Sequence, residues 1–299
     1  MTPPGRVQIV EVSPRDGLQA EARVLPTELK LELLDRLAGA GLTAIEATSF
    51  VSPTAVPQLA DADALVRGLL RRPGVRYPVL VPNEKGLERA IAAGAGEIAV
   101  FVSASESYSR KNLRRGRNDA IGTALALTAD AVARRLRVRA YVSMVVADPD
   151  DGPTDPADVA TIAARFLAAG AEEVSLGDTM GVGTAKHVHA LLAAQRAAGV
   201  PIDRIAVHFH DTYGQGLANA LVAIELGVAM VDASIGGIGG SPFAKGAGGN
   251  LATEDLVWML DGMGVATGVD LRKLAEATRW LATQLGRELP GRAARALAG

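Results

Sequence analysis

Two histidines one residue apart are the most informative chemical feature of this 299-residue chain. The run "RIAVHFHD" (204–211) has the composition of a strand, in which residues i and i+2 face the same side. His208 and His210 are therefore expected to point together, while Phe209 points away. Two imidazoles directed to one side, with carboxylates nearby, indicate a metal site more than a pair of buried core histidines.

Oxygen donors at other predicted strand ends complete a mixed ligand set. Asp16 follows the first strand pattern, and Asn250 closes the segment "GGIGGSPFAKGAGGN" (236–250). The chain has no cysteine, so thiolate ligands are excluded. Nitrogen and oxygen donors without thiolates suit octahedral Mg²⁺ or Mn²⁺ better than a structural zinc ion. We therefore predict a divalent metal ion, Mg²⁺ or Mn²⁺, held by Asp16, His208, His210 and Asn250.

An acidic side chain inside the second predicted strand indicates a second chemical feature. Glu46 stands among apolar neighbours in "AIEATSF" (44–50), where a buried charge needs a partner. Arg15, beside Asp16, is the obvious partner. The pair is either a purely structural salt bridge or a preorganised cation, since an arginine held by a carboxylate is suited to stabilising an enolate or oxyanion.

Eight short runs rich in β-branched residues alternate with longer helical patterns and supply the elements that position these side chains. The predicted strands are 6–13, 44–50, 76–81, 97–103, 137–145, 172–179, 204–211 and 230–237. This alternation predicts a (β/α)₈ TIM barrel, whose functional residues lie at the carboxyl ends of the strands. An open doubly wound sheet is the alternative, although "SPRDG" (13–17) is not the glycine-rich turn usual after its first strand.

Helix boundaries and domain organisation can be predicted from the same alternation of strand and helix patterns. Thr27, Asp155 and Thr184 are predicted N-caps. Glycines that follow alanine are predicted to end four helices, at Gly41, Gly94, Gly170 and Gly199. Because no linker interrupts the pattern, we predict one domain over 1–299, with a barrel core at about 6–264. Additional C-terminal helices are predicted at 253–264 and 270–289.

The overall composition limits the possible partners. The net charge of −2 and the absence of a long basic tract argue against nucleic acid, and no apolar run is long enough to span a membrane. The N-terminus lacks a signal pattern, which predicts a cytoplasmic protein. Basic stretches at 109–118 and 132–140 suggest solvated surface or a phosphate-binding rim. His187 and His189 have helical spacing that turns them apart, so both are predicted on the surface.

Five long stretches together resemble the 3-hydroxy-3-methylglutaryl-CoA lyases, which are metal-dependent TIM-barrel lyases. These stretches are "VEVSPRDGLQAE", "IEATSFVSP", "VSLGDTMGVGT", "VHFHDTYGQGLANAL" and "GGSPFAKGAGGNLATEDLV". The resemblance extends from about residue 7 to 289. It implies a retro-Claisen cleavage of an acyl-CoA substrate to acetoacetate and acetyl-CoA, a role in leucine degradation, and a homodimer.

The resemblance also assigns roles to individual residues. Asp16, His208, His210 and Asn250 match the family's metal ligands. Arg15 matches the arginine that stabilises the thioester enolate, Glu46 completes the catalytic set, and His208 or Asp16 is the expected base. Further residues match positions near the acyl group, although each also fits loop capping or strand-end hydrogen bonding: Ser49, Asn112, Ser175, Asp178 and Thr179. A basic cluster after the fourth strand could contact the CoA phosphates or be ordinary surface charge: Arg110, Lys111, Arg114 and Arg115.

One position departs from the family pattern. The family's proton donor is a cysteine in a "GGCP" context within a glycine-rich lid, whereas this chain has Ser241 in "GGSP". A serine hydroxyl is a far weaker acid than a thiol, which titrates near 8.5. Three alternatives follow: a lyase of the same substrate in which Ser241 relays a proton, a lyase for a related thioester such as citramalyl-CoA, or a metal-binding protein with little turnover.

Overall fold

The computed structural model describes residues 4–240 and 248–297, and a parallel sheet lies at its centre. The strands are Gln8–Glu11 (β1), Ala44–Ile45 (β2), Thr48–Ser49 (β3), Val79–Leu80 (β4), Glu97–Ser103 (β5), Arg137–Ser143 (β6), Ala147–Asp148 (β7), Gly152–Pro153 (β8), Glu173–Asp178 (β9), Ile205–Phe209 (β10) and Met230–Ala233 (β11). Nine of them pair in the order β2-β1-β11-β10-β9-β6-β5-β4-β3, while β7 and β8 form a separate antiparallel pair. Each of the eight predicted strands contains at least one of these strands.

Helices follow most of the strands and cover one face of the sheet. The α-helices are Thr27–Gly39 (α1), Ala62–Gly68 (α2), Glu84–Ala93 (α3), Glu106–Leu113 (α4), Arg117–Ala133 (α5), Pro156–Ala168 (α6), Ala185–Ala197 (α7), Gly216–Glu225 (α8), Thr253–Gly262 (α9), Leu271–Leu285 (α10) and Arg292–Ala296 (α11). In 4–240 and 248–297, no helix combines the length and the apolar character needed to cross a bilayer. The alternation of parallel strands with helices is TIM-barrel-like.

Side-chain alternation gives the sheet two different faces. In β5, Ile98, Val100 and Val102 pack into the large apolar core under the helices. Ala99 and Phe101 point the other way, where they meet residues from neighbouring strands. The outer face therefore builds the hydrophobic core, and the inner face is left for a chemically mixed interior.

The two edge strands of the sheet, β2 and β3, are two parts of one predicted strand. Only Glu46 and Ala47 separate them, and both residues keep backbone hydrogen bonds to the flanking strands. Glu46 N donates to Glu11 O at 2.8 Å on one side, and Ala47 N donates to Pro78 O at 2.9 Å on the other. The sheet is therefore strongly curved, because a single chain segment contacts both of its ends.

Six of the seven predicted helix caps hold, while the helix predicted at 270–289 ends earlier, at Leu285. Asp155 and Thr184 are N-caps, and all four glycines after the helices have positive φ: Gly41, Gly94, Gly170 and Gly199. The prediction for Thr27 was wrong. Pro26 is the N-cap of α1, and the hydroxyl of Thr27 donates to Asp61 Oδ2 at 2.8 Å instead of accepting from the helix backbone. A long-range side-chain bond therefore replaced the local cap.

Helix α9 carries a buried carboxyl group that should make stability depend on pH. Burial raises the pKa of Glu254 to about 7, although hydrogen bonds from Thr278 and Gly236 oppose the shift. Because the folded state holds the Glu254 proton more tightly than the unfolded chain does, the contribution of this group to the free energy of unfolding is fully present below about pH 4.5. That contribution is lost as the pH rises through about 7.

We expect Glu254→Gln to remove this pH dependence, because an amide does not titrate. Between pH 5 and pH 8, wild-type protein should lose up to about 3 kcal/mol of unfolding free energy through this group, and the variant should not. Urea unfolding of both proteins at the two pH values measures the difference. Equal pH dependence in both proteins would contradict the assignment.

Candidate active site

A five-residue turn directly after β1 presents the first two candidate side chains. In Ser13–Gly17, the backbone N–H groups of Arg15, Asp16 and Gly17 all donate to Val12 O, so the chain tightens into one π-helical turn. A Cβ atom at Gly17 would lie 2.6 Å from Ile238 Cγ1, which leaves room only for glycine. The turn therefore lies directly against the 238–240 segment and holds Arg15 and Asp16 at the carboxyl end of β1.

Arg15 is buried and is held by two carboxylates. Its Nε donates to Glu46 Oε2 at 2.6 Å, and its Nη1 donates to Asp16 Oδ1 at 2.8 Å. Burial opposes the cation, but Glu46 and then Asp16 raise the pKa of Arg15 further above its ordinary value. Its guanidinium carbon also lies 5.4 Å from the ring centre of Tyr141. The arrangement is that of a fixed, fully charged cation.

Glu46 has one carboxylate oxygen committed to Arg15 and one that is open. Oε1 is buried and has no hydrogen-bond partner among the described residues. Burial raises the pKa of Glu46, although Arg15 opposes the shift. The alternation of the strand places Thr48 on the same face as Glu46, and its hydroxyl is also buried without a described partner. Sequence reasoning missed Thr48, although its i+2 spacing from Glu46 was the available signal.

Asp16, His208 and His210 converge into a cluster that could hold a metal ion. One ligand atom from each residue lies within 4.8 Å of the other two. Burial opposes ionisation of Asp16, but Arg15 and the two histidines lower its pKa below the usual value. Burial, with His208 next, lowers the pKa of His210 to about 4, so this imidazole is neutral at neutral pH. A carboxylate beside imidazole nitrogens is a donor set that fits a divalent cation.

A carboxylate that the sequence analysis missed orients His208. Asp232, on β11, is paired with His208 in strand register, and its Oδ2 lies 3.2 Å from His208 Nδ1. Asp232 also accepts from Ser175 Oγ at 2.8 Å and from Arg139 Nη2 at 2.5 Å. Burial opposes the charge on Asp232, but Arg139 and His208 lower its pKa. Nδ1–H is therefore the donor to Asp232, which leaves the Nε2 lone pair of His208 free.

Asn250 approaches the cluster from the far end of the glycine-rich segment. It forms an antiparallel bridge with His210, and its Nδ2 donates to Asp16 Oδ2 at 2.7 Å and to Ile238 O at 3.0 Å. Both bonds use the amide nitrogen, so the amide oxygen is the group available to a cation. A Cβ atom at Gly239 would lie 2.3 Å from Asn250 Nδ2, and Gly239 has a φ of 117°. Glycine is therefore required where the backbone passes this amide.

Comparison with known proteins decides the family of the chain. Residues 6–281 match the HMGL-like family. The chain belongs to this family. A protein of Rattus norvegicus named mitochondrial hydroxymethylglutaryl-CoA lyase is 49% identical over 295 residues, which cover 99% of this chain and 90% of the relative. A cytoplasmic 3-hydroxy-3-methylglutaryl-CoA lyase of Danio rerio is 49% identical over 285 residues, covering 95% of this chain and 85% of the relative.

Solved structures of HMGL-like proteins have the same fold. Hydroxymethylglutaryl-CoA lyase from Pseudomonas aeruginosa superposes with a TM-score of 0.96 at 44% identity, covering 100% of this chain and 99% of that structure. An HMG-CoA lyase from Acinetobacter baumannii, in complex with coenzyme A and 3-methylmalate, gives a TM-score of 0.93 at 34% identity, with coverage of 98% and 95%. The family therefore consists of enzymes with this TIM-barrel-like architecture.

The remaining predicted site residues of this HMGL-like chain lie at different places around the strand ends. Ser175 and Thr179 bond to the protein itself, through Asp232 and through Met144 N. The Asp178 carboxylate accepts from Gly183 N at 2.7 Å and so shapes the loop after β9. Ser49 is buried, and Asn112 lies half-buried in α4. Ser241 lies outside the described residues.

The basic residues after β5 have protein partners on an exposed surface. Arg110 pairs with Glu106 at 2.7 Å, Lys111 pairs with Asp150, and Arg115 donates to Thr123 Oγ1 at 2.8 Å. Arg114 ends α4 with a positive φ of 55°. Both proposed roles of this cluster, surface charge and a phosphate rim, are compatible with such exposed pairs, because exposed ion pairs exchange partners at little cost. His187 and His189 are exposed, as predicted.

Proposed function

We propose that this chain cleaves 3-hydroxy-3-methylglutaryl-CoA to acetoacetate and acetyl-CoA by a retro-Claisen reaction. The observation that carries the proposal is the convergence of Asp16, His208 and His210 next to the Arg15–Glu46 pair. The named relatives in the HMGL-like family support the same reaction. In the cell we propose a cytoplasmic homodimer that takes part in leucine degradation.

The metal ion that we propose is Mg²⁺ or Mn²⁺, and Asp16, His208, His210 and Asn250 would hold it. Such an ion would act as a Lewis acid that lowers the pKa of the substrate's tertiary hydroxyl. The mixed nitrogen and oxygen donors of these residues support a hard or intermediate divalent ion. The proposal is supported by the described residues Asp16, His208 and His210, because one potential ligand atom of each lies within 4.8 Å of the other two.

A base beside the ion takes the hydroxyl proton, and we propose His208 or Asp16 for this role. Because Asp232 accepts from His208 Nδ1, Nε2 is the nitrogen that His208 can offer, either to the ion or to the proton. The two oxygens of Asp16 accept hydrogen bonds from Arg15, Gln19 and Asn250. As the proton leaves, the hydroxyl oxygen becomes a ketone oxygen and the adjacent carbon–carbon bond breaks. The electron pair of that bond passes to the thioester fragment.

Arg15 is placed to stabilise the charge that this fragment acquires. The electron pair forms the enolate of acetyl-CoA, whose oxygen is more negative than the oxygen of the substrate thioester. A fixed guanidinium is worth most where charge develops in the transition state, and Glu46 and Asp16 prevent Arg15 from reorienting. A proton that Ser241 would relay from water then adds to the α-carbon of the enolate to give acetyl-CoA.

We further infer that the sheet closes as an eight-stranded barrel within a single domain of residues 1–299. Counting β2 and β3 as one strand leaves eight strands, and the backbone bonds of Glu46 and Ala47 support closure on both sides. The barrel core would occupy about 6–264, with the C-terminal helix at about 270–289. At its mouth, the proposed acyl-CoA contacts are Ser49, Asn112, Ser175, Asp178 and Thr179.

A coupled assay for acetoacetate, with 3-hydroxy-3-methylglutaryl-CoA as substrate, tests the proposed function. We expect product with Mg²⁺ or Mn²⁺ and its loss with excess EDTA, with recovery when the ion is restored. The matched control is His210→Ala, which should bind the ion weakly and form no product. Metal-induced thermal stabilisation without acetoacetate would overturn the substrate assignment and favour citramalyl-CoA, the second candidate, for which the serine at position 241 is the supporting observation.

We expect Ser241→Cys to raise kcat on 3-hydroxy-3-methylglutaryl-CoA by about tenfold, because general acid catalysis contributes about 10²–10⁴-fold and a thiol is the stronger acid. Since the wild-type chain has no cysteine, iodoacetamide should leave it active and should abolish the gain in the variant. Steady-state turnover before and after alkylation measures both effects. Unchanged or lower turnover in the variant would show that proton delivery from this position does not limit the reaction.

A further inference from the structure

We propose that Glu11 is a positioning residue that connects the Arg15–Asp16 turn to the Asn250 segment, and thereby sets the geometry of the metal site. The inference rests on the proposed function. Glu11 lies on β1 and is completely buried, with a relative exposure of 0%. Neighbouring Val10 and Val12 face the opposite side of the strand in a small apolar cluster. The carboxylate of Glu11 therefore points away from the inner face that carries the candidate site.

The two oxygens of Glu11 accept hydrogen bonds from three separate chain segments. Oε1 accepts from Ser13 N at 3.0 Å and from Ile235 N at 3.0 Å. Oε2 accepts from Thr253 Oγ1 at 2.6 Å. A buried carboxylate whose donors come from three segments fixes the positions of those segments relative to one another.

Two of these segments carry the proposed ligands of the ion. Ser13 opens the turn that presents Arg15 and Asp16, and Thr253 follows Asn250 by three residues and begins α9. Asp16 and Asn250 meet at 2.7 Å on the other side of the strand. Glu11 therefore sets the distance between two ligands that come from opposite ends of the sequence, although it touches neither of them.

The length of the Glu11 side chain is the property that this role requires. Aspartate would keep the charge but withdraw the carboxylate by about 1.5 Å, the length of one carbon–carbon bond. It could then not reach Ser13 N and Thr253 Oγ1 together at hydrogen-bonding distance. Glutamine keeps the reach, and its amide can accept from the two N–H groups while the Thr253 hydroxyl rotates to accept. If Glu11 acts through its reach, Glu11→Asp should weaken Mn²⁺ binding more than Glu11→Gln does. If Glu11 acts only through its charge, Glu11→Gln should weaken Mn²⁺ binding more.

Glu254 is the matched control for a general loss of stability. It is also completely buried, and it accepts from Gly236 N, the residue next to Ile235, at 3.0 Å. Its other partner is Thr278 on α10, so although it follows Thr253 on α9, its side chain bonds to neither the Arg15–Asp16 turn nor Asn250. Glu254→Gln should change stability without changing the affinity of the site for the ion.

The experiment is Mn²⁺ binding to the metal-free full-length proteins by isothermal titration calorimetry, with a thermal unfolding curve for each. For Glu11→Asp we expect the Kd to rise by about tenfold or more, since outer-shell partners are worth about 10–100-fold in affinity. Glu11→Gln should raise it about threefold, and Glu254→Gln should leave it within twofold. Because Glu11→Asp could fail to fold, Thr253→Val and Thr253→Ser form a second pair, of which only the valine variant should weaken binding.

The outcomes separate this inference from the proposed function. Absence of Mn²⁺ binding by the wild-type protein would refute the metal site itself. Equal affinities for the wild-type protein, Glu11→Asp and Thr253→Val would overturn the role of Glu11 while leaving the site intact. A weaker affinity in Glu254→Gln that matches Glu11→Asp would also overturn it, because the effect would then follow from stability alone.

Discussion

Arg15→Lys is expected to lower kcat for thioester cleavage by about 10²–10³-fold while changing KM little, because Arg15 acts on charge that develops only in the transition state. Lysine keeps the positive charge, but its single ammonium group cannot reproduce the two separate contacts of arginine. Arg15 Nε bonds to Glu46 at 2.6 Å and Nη1 bonds to Asp16 at 2.8 Å. A lysine at this position would be a mobile point charge instead of a fixed, planar donor.

Steady-state kinetics with 3-hydroxy-3-methylglutaryl-CoA test this expectation, and Mn²⁺ affinity serves as the second measurement. Arg36→Lys is the control, because Arg36 forms an exposed pair with Glu32 on α1, where the same exchange should leave kcat unchanged. An Arg15→Lys enzyme with near wild-type kcat would refute the enolate role. A higher KM at unchanged kcat would assign Arg15 to ground-state binding instead.

The sequence predicts those site residues that lie at strand ends in recognisable local patterns. His208 and His210 could be identified because residues i and i+2 point to the same side of a strand but to different sides of a helix. Glu46 could be found because a carboxylate within an apolar strand requires a partner, and Arg15 is that partner. For the histidines the informative pattern lies within three residues, whereas the Glu46–Arg15 pair joins two predicted strand regions that are 31 positions apart.

The interior ion pairs could not be found in the same way. Arg139 belongs to a basic stretch that fits solvated surface or a phosphate rim, yet its relative exposure is 0% and it pairs with Asp232. The two residues are 93 positions apart, and only the strand order and the curvature of the sheet bring the inner faces of β6 and β11 together. A charged residue on the inner face of a curved sheet can have the same sequence neighbours as one at the exposed start of a strand, so composition alone cannot distinguish the two.

Thr27 and Asp232 illustrate the same limit on a smaller scale. A threonine before a helical pattern is a good N-cap candidate, but the bond to Asp61 removes Thr27 from that role. Asp232 carried the same signal as Glu46, an acid within an apolar strand, but its partner His208 lies on a neighbouring strand and became evident only from the register. Sequence patterns therefore identify the chemical groups at this site, and the strand register identifies their partners.

Asp232→Asn is expected to lower kcat by about 10²-fold and to weaken Mn²⁺ binding by about tenfold, because it changes which nitrogen of His208 carries the proton. Asp232 accepts from Nδ1–H, so the Nε2 lone pair faces Asp16 and His210. An asparagine amide can donate to Nδ1 instead, which moves the proton to Nε2. The imidazole would then present an N–H where the site requires a lone pair.

The same substitution removes a buried partner of Arg139, so a stability effect has to be separated from the tautomer effect. Glu173→Gln provides that control, because Glu173 pairs with Arg139 Nε at 3.3 Å from the other side and contacts neither His208 nor Asp232. It should lower the unfolding free energy while preserving kcat and Mn²⁺ affinity. Asp232→Asn should lower all three. If the two variants lost activity in parallel with their stability, Asp232 would be a structural partner of Arg139, and the orientation of His208 would have another source.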